Sequence, residues 1–133
     1  MNRRVVHITL ALRIAIGLMA TLAGLDKFFN LLADWEAYIA PLAIRLSPLS
    51  PTLLMSAVGL VEMAVGLTIL TFSPRAGGYV ACAWLCLVAV NLVLGGHFDV
   101  AVRDLVLAVS AFALATLSAL RAESPSLRRA EAA

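Results

Sequence analysis

Charged residues are scarce in this chain of 133 residues, since Asp, Glu, Lys and Arg together make up 14% of it while hydrophobic residues make up 62%. A soluble domain typically contains about 45–50% apolar and about 25% charged residues. Folded as a soluble helical bundle, this chain would expose large apolar patches, which soluble proteins avoid. The shortage of charge argues against a soluble domain and favours an integral membrane protein.

Cysteine and histidine are also rare, with two residues of each. Cys82 and Cys86 lack the Cys-x-x-Cys spacing of a dithiol motif, and a disulfide between them would fit a regular helix poorly. We interpret them as small apolar side chains within a span. The sequence contains no metal-ligand spacing, phosphate-binding loop, haem-attachment motif or Ser-His-Asp arrangement. It therefore predicts no metal site, no catalytic residue and no intrinsic cofactor.

Long apolar runs are the feature that this chain has in abundance. A bilayer-spanning helix needs about 20 mostly apolar residues, and four runs approach or reach that length, at residues 6–25, 52–72, 76–94 and 100–120. None alternates strictly as a barrel strand would, and the first is not followed by the small residues of a signal-peptide cleavage site. We predict an all-α four-transmembrane-helix bundle, with a single membrane domain over residues 1–122 and a polar tail over residues 123–133.

The link between the first two predicted spans is longer than the others and has an amphipathic pattern. Its apolar residues follow helical i, i+3, i+4 spacing from Phe28 to Leu42, with Trp35 and Tyr38 among them. Trp and Tyr favour the headgroup region of a bilayer. We therefore predict a short interfacial amphipathic helix between spans one and two, ended or kinked at Pro41.

The distribution of basic residues predicts the orientation in the membrane. With four spans, both termini lie on one side, which would carry six arginines against three basic residues on the other. Because cytoplasmic loops are enriched in Lys and Arg, we expect both termini in the cytoplasm, with the chain in a bacterial cytoplasmic (inner) membrane. The net charge of +2 then reflects topology, and nothing indicates a nucleic-acid partner.

Ionisable residues within spans are costly in hydrocarbon, so they normally face the bundle interior or a wet cavity. Glu62 lies near the middle of the second predicted span, about 15 Å deep from the helical rise per residue. We expect Arg13 of span one to reach toward it as a counter-charge. The candidate ligand-binding or proton-handling residues are Arg13, Glu62 and Asn91. The predicted helix-packing positions are four glycines that allow close approach: Gly17, Gly24, Gly59 and Gly66.

A second group of ionisable residues lies at the predicted outer face, where span one ends and span four begins. This group comprises Asp26, Lys27, His97, Asp99, Arg103 and Asp104. We expect Lys27 to pair with Asp104 or Asp99, and Arg103 to pair with Asp26. Two interpretations are open, because such a network can simply fix the packing of spans one and four or can line the entrance to a small-molecule or proton site.

Three stretches of the chain resemble the DoxX-like family of small four-helix membrane proteins: LRIAIGLMATLAGLDKFFNLL, VGLVEMAVGLTIL and HFDVAVRDLVLAVSAFALATL. The resemblance covers residues 12–120. It rests on an Arg followed by spaced glycines and a Lys, on a mid-membrane Glu flanked by glycines, and on an acidic start to span four. The matching positions are Arg13, Gly17, Gly24, Lys27, Glu62 and Asp104, while Asp99 and Arg103 fit a longer form of the motif.

The resemblance implies a membrane role without one activity. Members of the family are linked to a thiosulfate:quinone oxidoreductase, to membrane redox or thiol-stress complexes, to maturation of methylamine dehydrogenase and to receptor assembly. We favour a non-catalytic accessory subunit or assembly partner of a larger membrane complex. The alternatives are a quinone-binding or proton-handling component of an oxidoreductase system, with quinone as the one cofactor suggested, and a small transporter. Expected partners are membrane lipids and either other membrane subunits or further copies of the chain.

Overall fold

Four long helices account for most of the computed structural model, which describes residues 2–124 together with Arg129 and Ala132. The helices, in chain order, are α1 (Arg3–Asp26), a 3₁₀ helix (Trp35–Tyr38), α2 (Pro41–Leu46), α3 (Pro51–Leu67) with a π-helical end (Thr68–Phe72), α4 (Pro74–Leu94) and α5 (Phe98–Glu123). The described part of the chain is helical and has no strand, which confirms the predicted all-α fold.

Four of these elements are long and apolar enough to cross a bilayer: α1, α3 with its π-helical end, α4 and α5, with 24, 22, 21 and 26 residues. Their length and composition identify the chain as an integral membrane protein. Three of these helices begin at polar caps, because the side chains of Asn2, Ser50 and Ser73 accept backbone N–H groups of the first turn. The predicted tail lies outside the described residues, apart from Glu123, Ser124, Arg129 and Ala132.

The connection between α1 and α3 is not one amphipathic helix, so that part of the prediction is wrong. Asn30 has a left-handed backbone conformation with φ 54°, and the chain then runs irregularly to the 3₁₀ helix. The carboxylate of Asp26 binds backbone N–H groups of this stretch, which competes with helix formation. Pro41 begins α2 and does not end a helix, because the first helical position needs no N–H donor.

The four spans form two tightly packed antiparallel pairs, α1 with α3 and α4 with α5, and α1 also contacts α5. Where the pairs meet, a small core contains Ile16, Val65, Ile69, Ala81, Ala111 and Leu114. We call the end that holds Asn2, Ser73 and the end of α5 the terminal end. The opposite end, with residues 27–50 and the turn at residues 95–97, is the loop end.

Glycines set the closest approach of α1 and α3. A Cβ atom on Gly24 would lie 2.6 Å from the carbonyl oxygen of Gly59, and a Cβ atom on Gly59 would lie 2.6 Å from that of Gly24. Gly17 and Gly66 are also buried against the partner helix, nearer the terminal end. These contacts place the four glycines where the two helices approach each other and fix the register between them.

Candidate functional site

A buried ion pair joins the first two spans. Lys27 directly follows α1, and its Nζ lies 2.6 Å from Oε2 of Glu62 on α3. The side chains are only 5% and 14% exposed. Nζ also donates to the carbonyl oxygen of Ala23, at 3.4 Å. Because each charge has its partner within the bundle, removal of either one would leave the other uncompensated in a medium of low dielectric.

Two tryptophans enclose this pair. The indole Nε1 of Trp84 on α4 donates to Oε1 of Glu62, at 3.5 Å. On the other side, Nζ of Lys27 lies 3.9 Å from the centre of the Trp35 ring, a cation–π contact. Three spans and the α1–α3 connection thus meet at one lysine and one glutamate.

Asp104 of α5 is a third ionisable residue at this position. It is partly buried and interacts electrostatically with Arg103, Glu62 and Lys27. The predicted direct pairing of Lys27 with Asp104 or Asp99 is wrong, because the lysine bonds to Glu62 and Asp104 acts on the pair from farther away. We call Lys27, Glu62 and Asp104 the interior charge site.

The register of α1 against α3 explains why sequence reasoning did not pair Lys27 with Glu62. Because α1 runs antiparallel to α3 and Gly24 lies opposite Gly59, the end of α1 lies beside the middle of α3. The Lys27 side chain turns back along α1, where its Nζ also donates to the Ala23 carbonyl oxygen, and so reaches Glu62. α3 begins at Pro51, more than a helical turn beyond the end of α1. Counting depth separately along each span placed Glu62 in the middle of the membrane and Lys27 at its surface, whereas packing puts them together.

Asp26 organises the start of the connection and does not pair with Arg103, which is exposed. Its Oδ1 accepts the N–H of Leu31 at 3.0 Å. Its Oδ2 accepts the N–H of Leu32 at 2.8 Å and the indole N–H of Trp35 at 2.9 Å. The predicted Asp26–Arg103 ion pair is therefore wrong, and the buried carboxylate instead holds the tryptophan that covers Lys27.

Asn91 and His97 fasten the connection to the other half of the bundle. Oδ1 of Asn91 accepts the N–H of Ala40, and Nδ2 donates to the carbonyl oxygen of Tyr38, both at 2.9 Å. Nε2 of His97 lies 3.1 Å from the carbonyl oxygen of Ala37, and its ring meets Tyr38 edge-on at 4.8 Å between centroids. Asn91 thus acts as a clamp on the backbone of the connection.

Arg13 is not the counter-charge of Glu62, so that prediction is wrong. Its Nε donates to the carbonyl oxygen of Ile69 at 2.7 Å, and its Nη2 donates to that of Leu70 at 3.1 Å. Both carbonyls belong to the last turn of the second span, which stops before Pro74 and so runs out of backbone N–H donors. Arg13 caps this end, where the helix dipole also favours a cation.

The predicted outer-face network is therefore divided among three places. Lys27 and Asp104 belong to the interior charge site, Asp26 and His97 hold the connection, and Asp99 and Arg103 are exposed at the start of α5. Sequence reasoning missed both tryptophans as site residues. A signal for one was available, because Trp84 lies seven residues before Asn91 and shares its helix face.

Metal-binding groups are not gathered anywhere in the described part of the chain, where no three His, Cys, Asp or Glu side chains are placed to hold an ion. Cys82 and Cys86 are free thiols on α4, one partly buried and one exposed. Neither contributes a hydrogen bond to the interior charge site.

These features define a class: a small integral membrane protein with four spanning helices, an enclosed lysine–glutamate pair and a connection fastened over it. Comparison of the chain with the models of known families, with curated proteins and with solved structures finds no match. The resemblance to DoxX-like proteins therefore stays a prediction that rests on the motif residues.

Proposed function

We propose that this chain is a non-catalytic accessory subunit or assembly partner of a larger membrane complex. The observation that carries the proposal is that interior polar groups hold the chain's own helices together. Glu62 binds Lys27 and Trp84, and Asn91 binds the connection. Such an interior suits a rigid building block, because its polar side chains are satisfied without a bound substrate.

The outer surface supports the same proposal. Only 17% of the apolar stretch of α1, and 33% of that of α4, is buried inside the chain. Leu31 and Leu32 of the connection are 84% and 72% exposed. This apolar surface is available to membrane lipids and to either other membrane subunits or further copies of the chain. The distribution of basic residues favours an orientation with the terminal end in the cytoplasm, and the expected location is a bacterial inner membrane.

A proton-handling component of an oxidoreductase system is a second candidate, and Asp104 is the observation that favours it. Two carboxylates, Asp104 and Glu62, act on one lysine within the bundle. Carboxylates close to one another within a bundle of spanning helices are typical of proton relays. Quinone is the one cofactor that this second candidate suggests.

Purification from native membranes in mild detergent, followed by mass spectrometry of what accompanies the chain, tests the accessory role. We expect other membrane subunits at a fixed stoichiometry. Recovery of the chain alone, or only with copies of itself, would contradict the proposal.

Once the complex is known, substitutions at Lys27 and Glu62 distinguish the accessory role from the proton-handling role. Glu62→Gln removes the carboxylate charge and keeps an oxygen that accepts from Lys27, and a Lys27→Met/Glu62→Gln double variant removes both charges. Glu123→Gln, at an exposed position near the end of α5, is the matched control. An accessory role predicts full activity per assembled complex in all three variants, although less complex should assemble with Glu62→Gln alone, which leaves the charge of Lys27 uncompensated. A proton-handling role predicts an assembled complex whose activity falls in the two Glu62 variants only.

A further inference from the structure

A cleft of about 320 Å³ opens at the terminal end of the bundle, far from the interior charge site. Clefts that hold small ligands typically measure about 300–1,000 Å³. Its walls come from α1, from the turn between the second and third spans, and from the end of α5. The polar side chains that line it are Thr9, Arg13, Ser73, Arg75, Ser118 and Arg121.

Among the described residues, the charged side chains that line this cleft are all basic. Three arginines line it, and no Asp or Glu is among the described residues of its walls. Glu123 follows closely in sequence, but its side chain is exposed and does not line the cleft. Guanidinium groups match the geometry of phosphate oxygens through paired N–H donors, so this lining selects for a phosphate group.

Arg13 is held in place at the cleft. The two hydrogen bonds from Arg13 to the carbonyls of Ile69 and Leu70 fix its guanidinium at the cleft, and they leave other N–H donors of the group for a ligand. A donor that is ordered before binding loses less conformational entropy when the ligand arrives. Ser73 adds a hydroxyl whose oxygen accepts the N–H of Ala76, while its own proton is used by no hydrogen bond within the described residues.

Apolar side chains border the arginines. Leu10 and Phe72 also line the cleft, and they are 46% and 83% exposed. Both belong to spanning helices, so their exposed surfaces face the lipid chains next to the cleft. A ligand that offers a phosphate to the arginines and a hydrocarbon tail to Leu10 and Phe72 satisfies both parts of the lining.

We propose that this cleft binds a phosphate group, carried by an anionic phospholipid that enters from the surrounding bilayer. Basic pockets between membrane helices hold anionic headgroups in this way. The inference is independent of the proposed accessory role, because it concerns the other end of the bundle. The alternative source of the same chemistry is free phosphate.

The test uses the full chain in a neutral detergent and three probes: short-chain phosphatidylglycerol, short-chain phosphatidylcholine, and inorganic phosphate at matched ionic strength. Binding is followed by native mass spectrometry and by the rise of the melting temperature with probe concentration. The main variant is Arg75→Gln/Arg121→Gln, which leaves the helix cap made by Arg13 intact. The matched control is Arg3→Gln/Arg4→Gln, which removes two exposed arginines of the same end that do not line the cleft.

We expect phosphatidylglycerol to bind more tightly than phosphatidylcholine, and its dissociation constant to rise about twenty- to thirtyfold in Arg75→Gln/Arg121→Gln. The control variant should bind almost as the parent does. The single variant Arg75→Gln, at an exposed position that the fold tolerates, should raise the constant about fivefold.

Other results decide between the sources or overturn the site. Binding of inorganic phosphate as tight as that of phosphatidylglycerol, with the same loss in the double variant, would support the phosphate site but assign it to the free ion. Equal binding of the two lipids would overturn the proposal. An equal loss in the Arg3→Gln/Arg4→Gln control would also overturn it, because the effect would then come from the general charge of this end.

Discussion

The Nζ atom of Lys27 lies 2.6 Å from Oε2 of Glu62, although 35 residues separate the two in the chain. The lysine follows the end of one span, and the glutamate lies well inside the next. They meet because Gly24 and Gly59 allow α1 and α3 to touch at the level where both side chains project into the bundle. The pair therefore depends on the glycine contact, and each can be tested separately.

Removal of one partner of the pair should destabilise the bundle. Lys27→Met leaves Glu62 buried without its cation, and we expect the free energy of unfolding to fall by about 3–5 kcal/mol. The double variant Lys27→Met/Glu62→Gln leaves no buried charge at the two positions and should recover much of that loss. Thermal unfolding in detergent measures both, with Arg45→Met at an exposed site as the control. Equal losses in the single and double variants would show that the ion pair does not couple the spans.

A methyl group at the helix crossing should force α1 and α3 apart. In Gly24→Ala the new Cβ would lie 2.6 Å from the Gly59 carbonyl oxygen, a backbone atom that cannot rotate away. We expect a loss of about 1–3 kcal/mol, as for other overpacked sites. Gly95→Ala is the control, because its Cβ would approach no atom more closely than the His97 side chain, at 3.3 Å. An unchanged melting temperature in Gly24→Ala would contradict the close crossing.

Arg13 should stabilise the end of the second span, and its contribution to the free energy of unfolding should be independent of Glu62. Arg13→Met leaves two partly buried carbonyls without these donors, so we expect a loss of about 1–3 kcal/mol, with Arg13→Lys in between. A double-mutant cycle with Glu62→Gln should give additive effects, within about 0.5 kcal/mol. A larger coupling energy would restore the counter-charge role that the sequence predicted.

Asn91 should stabilise the backbone of the α1–α3 connection against local opening, with little effect on the spanning helices. Asn91→Leu removes the acceptor for the Ala40 N–H and the donor to the Tyr38 carbonyl. We expect faster amide hydrogen exchange at residues 37–40 than in the parent, with exchange in the centres of α4 and α5 unchanged. Cys86→Ala, an exposed position on the same helix, is the control. Exchange that is unchanged at residues 37–40 would mean that Asn91 does not hold this segment.

The sequence by itself determined the four spans, the class of protein and which glycines lie on helix-packing faces. Apolar runs of about 20 residues become helices in a bilayer whatever surrounds them, because hydrocarbon offers no other partner for the backbone N–H and C=O groups. Gly17 and Gly24 of α1, and Gly59 and Gly66 of α3, were identifiable because their spacing places each pair on one face of its own helix.

Only the tertiary structure decided which polar residues meet. Periodicity gives the face of a residue on its own helix, but the axial shift between α1 and α3 comes from side-chain packing, and that shift brings Lys27 to Glu62 and Arg13 to the end of the second span. Tertiary contacts also decided the conformation of the α1–α3 connection. Its apolar spacing predicted a helix, but the hydrogen bonds of Asp26 and Asn91 gave its backbone other partners, and those bonds exist only once the spans are assembled.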